Sequence, residues 1–292
     1  MTDKKPDFEI IIVSYNSAFW LHKALSSLEK HYLSQTKKKV QVSVVDNASQ
    51  DDTATLLKRD FPWVKTIFLP ENLGFAAANN VALKQSRAKY VMLMNSDLEL
   101  NQNSRLDVLL SYLDKNPQVG VITPRVEHSS GALDLACHRG EPTLRASLMY
   151  FSHLEQLLPQ HKFFAGYHQL YKDLNSIHSI DACSGAAMIV RQKAIQAVGL
   201  LDERFFMYAE DLDWCKRMRD SGYLVVYHPG VKVIHHKYKS GIKTTSQALA
   251  KRTKYHFYDT MLQYFDKHYA YRYPAVVRSL VRFGIVLKKG AL

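Results

Sequence analysis

An α/β domain, with a mostly parallel sheet flanked by helices on both faces, is the fold this sequence predicts. Two observations carry the prediction. Strand-like and helix-like segments alternate in a βαβαβαβ rhythm over the first hundred residues, and the first apolar run, Phe8 to Val13, has no polar alternation, as in a strand buried on both sides. A third observation bounds the domain at its far end. The 292 residues carry a net charge of +12, yet thirteen Lys or Arg against two acids from Val231 onward place +11 of it there. The body before it is nearly neutral, at +1.

The elements follow in order. Ser14-Tyr15-Asn16-Ser17 breaks the first strand, and a Leu- and Ala-rich helix runs to about Tyr32. Val40 to Val45 reads as the second strand, followed by a helix from about Asp51 to Arg59 that the capping signal Ser49-Gln50-Asp51-Asp52 opens. Val64 to Leu69 is the third strand, Phe75 to Ser86 the third helix and Tyr90 to Met94 the fourth strand. From Asn101 to Ile180 the pattern is irregular; Met149 to Tyr171 is compatible with a helix and a mobile loop, and the sequence resolves it no further. Order returns with a strand at Ala186 to Val190, a polar and aromatic segment from Asp202 to Arg219, and a strand pair at Tyr223 to Tyr227 and Val231 to His235.

Composition excludes several classes. With 47% apolar and 23% charged residues the chain is globular. Its three cysteines, Cys137, Cys183 and Cys215, show no CxxC spacing, which argues against a disulfide framework or a structural zinc site. Met1 to Asp7 lacks a signal peptide's apolar region, and no run nears the roughly 18 apolar residues of a membrane span, so the chain reads as cytosolic. A neutral body with a basic end argues against nucleic acid and for an anionic partner met at one end.

In parallel sheets ligands bind beyond the carboxyl ends of the strands, which singles out the residues after Val13, Val45 and Met94. Asp46, at one such tip, suits a nucleobase imide N–H; Asp46 and Asn47 are equally good turn formers, and position favours the first role. Asn95-Ser96-Asp97 places a carboxylate by the same crevice, suited to Mg²⁺ or Mn²⁺ on two phosphates. Asn72-Leu73-Gly74 is a glycine turn into a helix, without the GxGxxG spacing of a dinucleotide fold. Downstream, Glu210, Asp211 and Asp213 put three acids in four positions; helix-dipole pairing accounts for one of them better than for three. His235 and His236 end a strand.

These motifs, in this order, resemble the inverting glycosyltransferases of family 2, GT-A fold, in the bacterial rhamnosyltransferase-like branch. The resemblance rests on Ile12 to Asn16, Val44 to Ser49, Asn72 to Ala76, Asn95-Ser96-Asp97, Ser184 to Met188, Asp202 to Tyr208, Glu210-Asp211 and His235, and covers residues 8 to 240. It implies a catalytic domain over residues 1–240, with a donor-binding half to about 100 and an acceptor-binding half after it. It implies that Asp46 meets the nucleobase, that Val13, Ser14, Tyr15, Asn16, Asn47, Asn72, Gly74, Asn95 and Ser96 line the nucleotide-sugar pocket, and that Asp97 and His235 hold a divalent metal. Asp211 is implied as the catalytic base, with Glu210 orienting acceptor or base and Trp214 and Arg217 on the acceptor side. Asn95 departs from the family's first DxD acid, a lost charge for which Glu99 is a candidate substitute.

The implied reaction is transfer of a sugar, L-rhamnose from dTDP-L-rhamnose first, to a lipid-linked saccharide in polysaccharide or O-antigen synthesis. UDP-galactofuranose and UDP-hexose are alternative donors, and a non-catalytic saccharide- or RNA-binding protein is the reading from another class. Residues 241–292 read as a basic helical extension. Its segment Pro274 to Lys289 carries Arg278 and Arg282 among Val277, Leu280, Val281 and Ile285, as an interfacial helix on an anionic membrane requires; a helix packed on the domain with a solvated basic face fits nearly as well. The expected location is therefore cytoplasmic, peripheral on the inner face of the cell membrane.

Overall fold

The structure, a computed structural model, describes residues 5–236 and 247–290. The parallel half begins with β1 (Phe8–Ser14), followed by α1 (Ala18–Leu28), a π-helical turn over Glu29–Leu33 and β2 (Val40–Asp46). Next come α2 (Thr53–Asp60), β3 (Lys65–Phe68), α3 (Gly74–Leu83) and β4 (Tyr90–Asn95). All of β1 except Val13 is buried, as its unbroken apolar run requires. The capping signal before α2 acts through Asp51, whose Oδ1 accepts the Thr53 N–H at 3.1 Å, while its Oδ2 accepts the Ala18 N–H at 2.9 Å and ties the first two strand-end loops together.

Beyond β4 the chain runs through β5 (Leu98–Glu99), α4 (Leu106–Lys115), β6 (Val119–Glu127), α5 (Leu144–Phe151), α6 (Leu154–Leu157), β7 (His178–Ile180) and β8 (Ala187–Arg191). It continues with α7 (Gln192–Val198), α8 (Glu210–Asp220), β9 (Leu224–His235), α9 (Gln247–His268) and α10 (Ala275–Gly290). Among the described residues the strands form one nine-stranded sheet in the order β3-β2-β1-β4-β8-β6-β9-β5, with β7 also on β9. The sheet is parallel from β3 to β4 and mixed beyond, because β8 returns antiparallel between β4 and β6. The expected pair of strands after Tyr223 is instead one strand, β9, whose register against β6 shifts between Pro124 and Arg125. That irregularity absorbs Pro229 and Gly230, which look like a turn in the sequence.

The carboxyl-terminal helices are bolted to this body. Buried Asp213 on α8 receives His268 Nε2 at 2.7 Å and an ion pair from Lys267, which also meets Asp202 at 2.7 Å. On the outside, Arg282 pairs with Asp266 at 2.9 Å and Lys289 with Asp259 at 2.7 Å, so the tail's only two acids clamp α10 to α9. The expected boundary at residue 240, with Lys237, Lys239 and Lys243, lies outside the described residues.

Candidate active site

The carboxyl ends of three strands lie level at one edge of the sheet: Ser14 is opposite Asp46, and Val13 opposite Asn95. A chain of hydroxyls joins them, Ser14 Oγ to Ser17 Oγ at 2.9 Å and Ser17 Oγ to Ser96 Oγ at 3.0 Å. Asn16, at φ +48°, accepts the Gln50 N–H at 2.7 Å, and Tyr15 stands exposed at the rim. Asp46 is buried, with its carboxylate accepting the Ser49 N–H at 3.3 Å.

Asn47, expected to line the pocket, has its side chain engaged within the protein. It is buried, its amide donates to Asn72 Oδ1 at 2.9 Å and to Gly74 O at 3.2 Å, and its Oδ1 accepts the Leu73 N–H at 2.9 Å. Asn47 therefore staples the strand end to the glycine turn rather than presenting a free group. At Gly74, φ is +81° and a Cβ would lie 2.3 Å from Phe206 O, so the turn docks directly on the segment leading to the acidic cluster.

A second corner forms where β4, β5 and β9 meet. His235 Nε2 lies 3.1 Å from Asp97 Oδ1 and 3.4 Å from Asn95 Nδ2, while its Nδ1 lies 3.0 Å from Asp134 Oδ2. Burial opposes charge on this ring, but the two carboxylates outweigh it and push the imidazole up to about 9. His236 is turned elsewhere, onto Glu99 at 2.7 Å and Ser129 at 2.9 Å, so Glu99 is committed and His235 alone of the pair faces Asp97. A carboxylate that hydrogen-bonds one ring nitrogen fixes the orientation of the other, which is how metal-binding histidines are commonly held. Among the described residues no cage of three or more His, Cys, Asp or Glu forms. Two side chains and a diphosphate nevertheless fit the way Mg²⁺ and Mn²⁺ sit on nucleotides.

The acidic cluster divides. Asp211, buried at the start of α8, accepts Arg139 Nη2 at 2.6 Å and Gly185 N–H at 3.2 Å on Oδ2, and Leu212 N–H at 2.7 Å on Oδ1. Arg139 is itself buried; burial works against its charge, and Asp211 holds it positive. Three of about four acceptor sites on the carboxylate are used, which leaves one on Oδ1. Next to Gly185, Ala186 O accepts the Asn95 N–H at 2.9 Å, so this carboxylate is two backbone steps from the end of β4. Asp211 and Arg139 also line a cavity of about 410 Å³ that α5, α9 and α10 enclose.

Glu210 differs from its neighbour. It is buried with Oε2 unpartnered, and burial first, then the charge of Asp211, pushes its carboxyl well above the usual range. Between an unfolded value of about 4.3 and that raised value the native state holds up to one proton more than the unfolded chain, so stability falls as pH rises through this window. Glu210→Gln, which cannot ionise, is expected to gain stability over the parent as pH rises from about 5.5 to about 8. Urea midpoints for both proteins across that range test this, and a pH-independent difference contradicts it.

The two residues expected on the acceptor side make contacts inside the fold. Trp214 is 1% exposed and donates Nε1–H to Gly199 O at 2.9 Å. Arg217 bonds Asp213 at 2.8 Å and the Val198 and Leu200 carbonyls at 2.7 Å each, closing the carboxyl end of α7. Both side chains face inward on α8 and build the fold. Conversely, Asp134 and Arg139 escaped sequence reasoning because they come from the irregular segment after Asn101. The sole local hint was an acid and an arginine flanking apolar Leu135-Ala136-Cys137.

Residues 9–196 match the family model for glycosyl transferase family 2. The chain belongs to that family. It is 27% identical to the N-acetylglucosaminyl-diphospho-decaprenol L-rhamnosyltransferase of Mycobacterium tuberculosis, over 99% of this chain and 92% of that protein. Among solved structures, a mannosyltransferase from Pyrobaculum calidifontis in complex with GDP-Man and Mn²⁺ superposes with TM-score 0.60 at 17% identity, covering 93% of this chain and 66% of that one. GalNAc-T7 with UDP, GalNAc and Mn²⁺ superposes with TM-score 0.56 at 13% identity, over 80% and 44%. At such identities the structural likenesses establish the GT-A fold of this family 2 glycosyltransferase and nothing finer.

Proposed function

We propose that this glycosyltransferase moves a sugar with inversion, L-rhamnose from dTDP-L-rhamnose in first place, onto a polyprenyl-diphosphate-linked saccharide in bacterial cell-surface polysaccharide synthesis. The observation that carries the reading is Asp211, a buried carboxylate with one free acceptor site, tied through Gly185 and Ala186 to the strand edge that holds Asp46 and Asp97. The near full-length likeness to a mycobacterial L-rhamnosyltransferase supports the choice of sugar.

Inversion needs no enzyme nucleophile. The acceptor hydroxyl attacks the anomeric carbon, the bond to the nucleoside diphosphate breaks, and the hydroxyl proton passes to Asp211 Oδ1. Asp46 would take the base, and the hydroxyl chain from Ser14 to Ser96 would stiffen the floor beneath it. A divalent Mg²⁺ or Mn²⁺ on Asp97 and His235 would supply Lewis-acid neutralisation of the departing diphosphate. Asp134 orients the ring for that role, so Asp134→Asn is expected to cost about 10- to 100-fold in metal affinity, and Asp97→Ala at least as much. Calorimetric titration with Mn²⁺ measures both, and unchanged affinity in the pair refutes the metal corner. A panel of dTDP-, UDP- and GDP-sugars, assayed for binding and transfer with Mn²⁺, tests the donor; preference for a UDP- or GDP-sugar overturns the rhamnose assignment.

No helix among the described residues is long and apolar enough to cross a membrane. Helix α10 instead exposes Val276, Leu280, Phe283 and Leu287 as one stripe at helical spacing, which suits peripheral attachment on the inner face of the cell membrane. Each nearby Lys or Arg adds about 1 kcal/mol on an anionic leaflet. Deleting residues 274–292 is expected to abolish co-sedimentation with phosphatidylglycerol vesicles, and unchanged sedimentation assigns the stripe no membrane role.

A further inference from the structure

The cavity beside Asp211 changes character along its depth. Its inner end is formed by buried groups, Asp211 and Arg139 with Tyr264 and Tyr269, and its outer end by exposed Leu148 and Phe151 of α5 and by Leu280, Gly284 and Lys288 of α10. A volume of about 410 Å³ lies within the range of small-ligand sites. None of the residues of α10 is buried, and Gly284 thins the wall further: a Cβ built there meets nothing within 4 Å. Arg282 and Lys289 are spent on Asp266 and Asp259, whereas Lys288 forms no ion pair with another described residue.

We propose that this cavity is the subsite for the isoprenoid portion of the acceptor, a refinement that rests on the lipid-linked acceptor of the reading above. The order of chemistry along the cavity selects the occupant. A sugar hydroxyl belongs at the inner end, at the carboxylate of Asp211 beside the Arg139 cation, and an apolar chain belongs between α5 and α10 towards the outer end. A bilayer phospholipid would set an acyl chain or an anionic head group against the Asp211 carboxylate, an arrangement that stabilises neither. The carboxyl-terminal helices thus form one wall of the acceptor site as well as an attachment to it.

The test uses the full chain and a fluorescent farnesyl diphosphate as probe. Saturable binding is expected, displaced by geranylgeranyl diphosphate and not by inorganic diphosphate. Gly284→Trp, which fills the open space, and Ile285→Asp, which charges the apolar wall, are each expected to weaken it about tenfold or more, with nucleotide binding and thermal midpoint unchanged. Gly284→Ala should bind as the parent does. Probe binding that is indifferent to both Gly284→Trp and Ile285→Asp, or that inorganic diphosphate displaces equally well, overturns the subsite. Because the readout is binding, variant-sensitive capture of the probe supports the subsite even where the sugar-transfer assay fails, and sugar transfer without such capture removes the subsite alone.

Discussion

Asp211→Asn is expected to lower the transfer rate by about 10²- to 10⁴-fold, the usual worth of a positioned general base, while donor-nucleotide affinity stays within about twofold. The substitution is nearly isosteric. An Asn side chain can still accept the Leu212 N–H that Asp211 Oδ1 now accepts at 2.7 Å, but its amide oxygen is far too weakly basic to take a proton at neutral pH. The two halves of the prediction separate because the hydrogen bonds that hold Asp46 and the Ser14–Ser96 hydroxyl chain are made with Ser49 and Ser17, and none of them is made by Asp211 itself. Steady-state transfer and nucleotide titration on the same preparation decide it. Undiminished turnover removes Asp211 as the base, and joint loss of turnover and nucleotide binding marks a folding defect instead.

What the sequence made legible follows from how local the cause is. β1 and β4 could be read from apolar runs because burial on both faces leaves little polar alternation, β2 from its valines, and the strand-end loops followed from the parallel rule. The corner proposed to hold the metal was half legible. Asp97 and His235 were in view, but Asp134, 101 residues from His235, joins them only through the pairing of β6 with β9. Asn47 and Trp214 have internal partners that the sequence did not reveal, for a shared reason. A polar or aromatic side chain beside a functional motif is as useful for fastening that motif as for touching a ligand, and only the partner, Asn72 for one and Gly199 for the other, separates the two uses. The tail is clamped to α9 through Asp259 and Asp266 and also exposes an apolar stripe, so packing on the body does not use up its apolar side chains.

Arg139→Leu is expected to cost about 3–5 kcal/mol of unfolding free energy, because it strands a buried carboxylate. Asp211 would retain the Gly185 and Leu212 N–H donors, which argues for the lower end of that range. The double variant Arg139→Leu, Asp211→Leu should recover most of the loss, since neither charge then has to leave water and Arg139 Nε, buried without a hydrogen-bond partner, disappears as well. Urea unfolding of the parent, the single and the double variants tests the cycle; a double variant as unstable as the single contradicts it. The double variant is also expected to be inactive. A more stable but inert pair would mean that the ion pair is kept for position rather than stability: Arg139, its backbone bridged to Ala182, holds Oδ2 of Asp211 from one side while Gly185 holds it from the other, leaving Oδ1 to the acceptor.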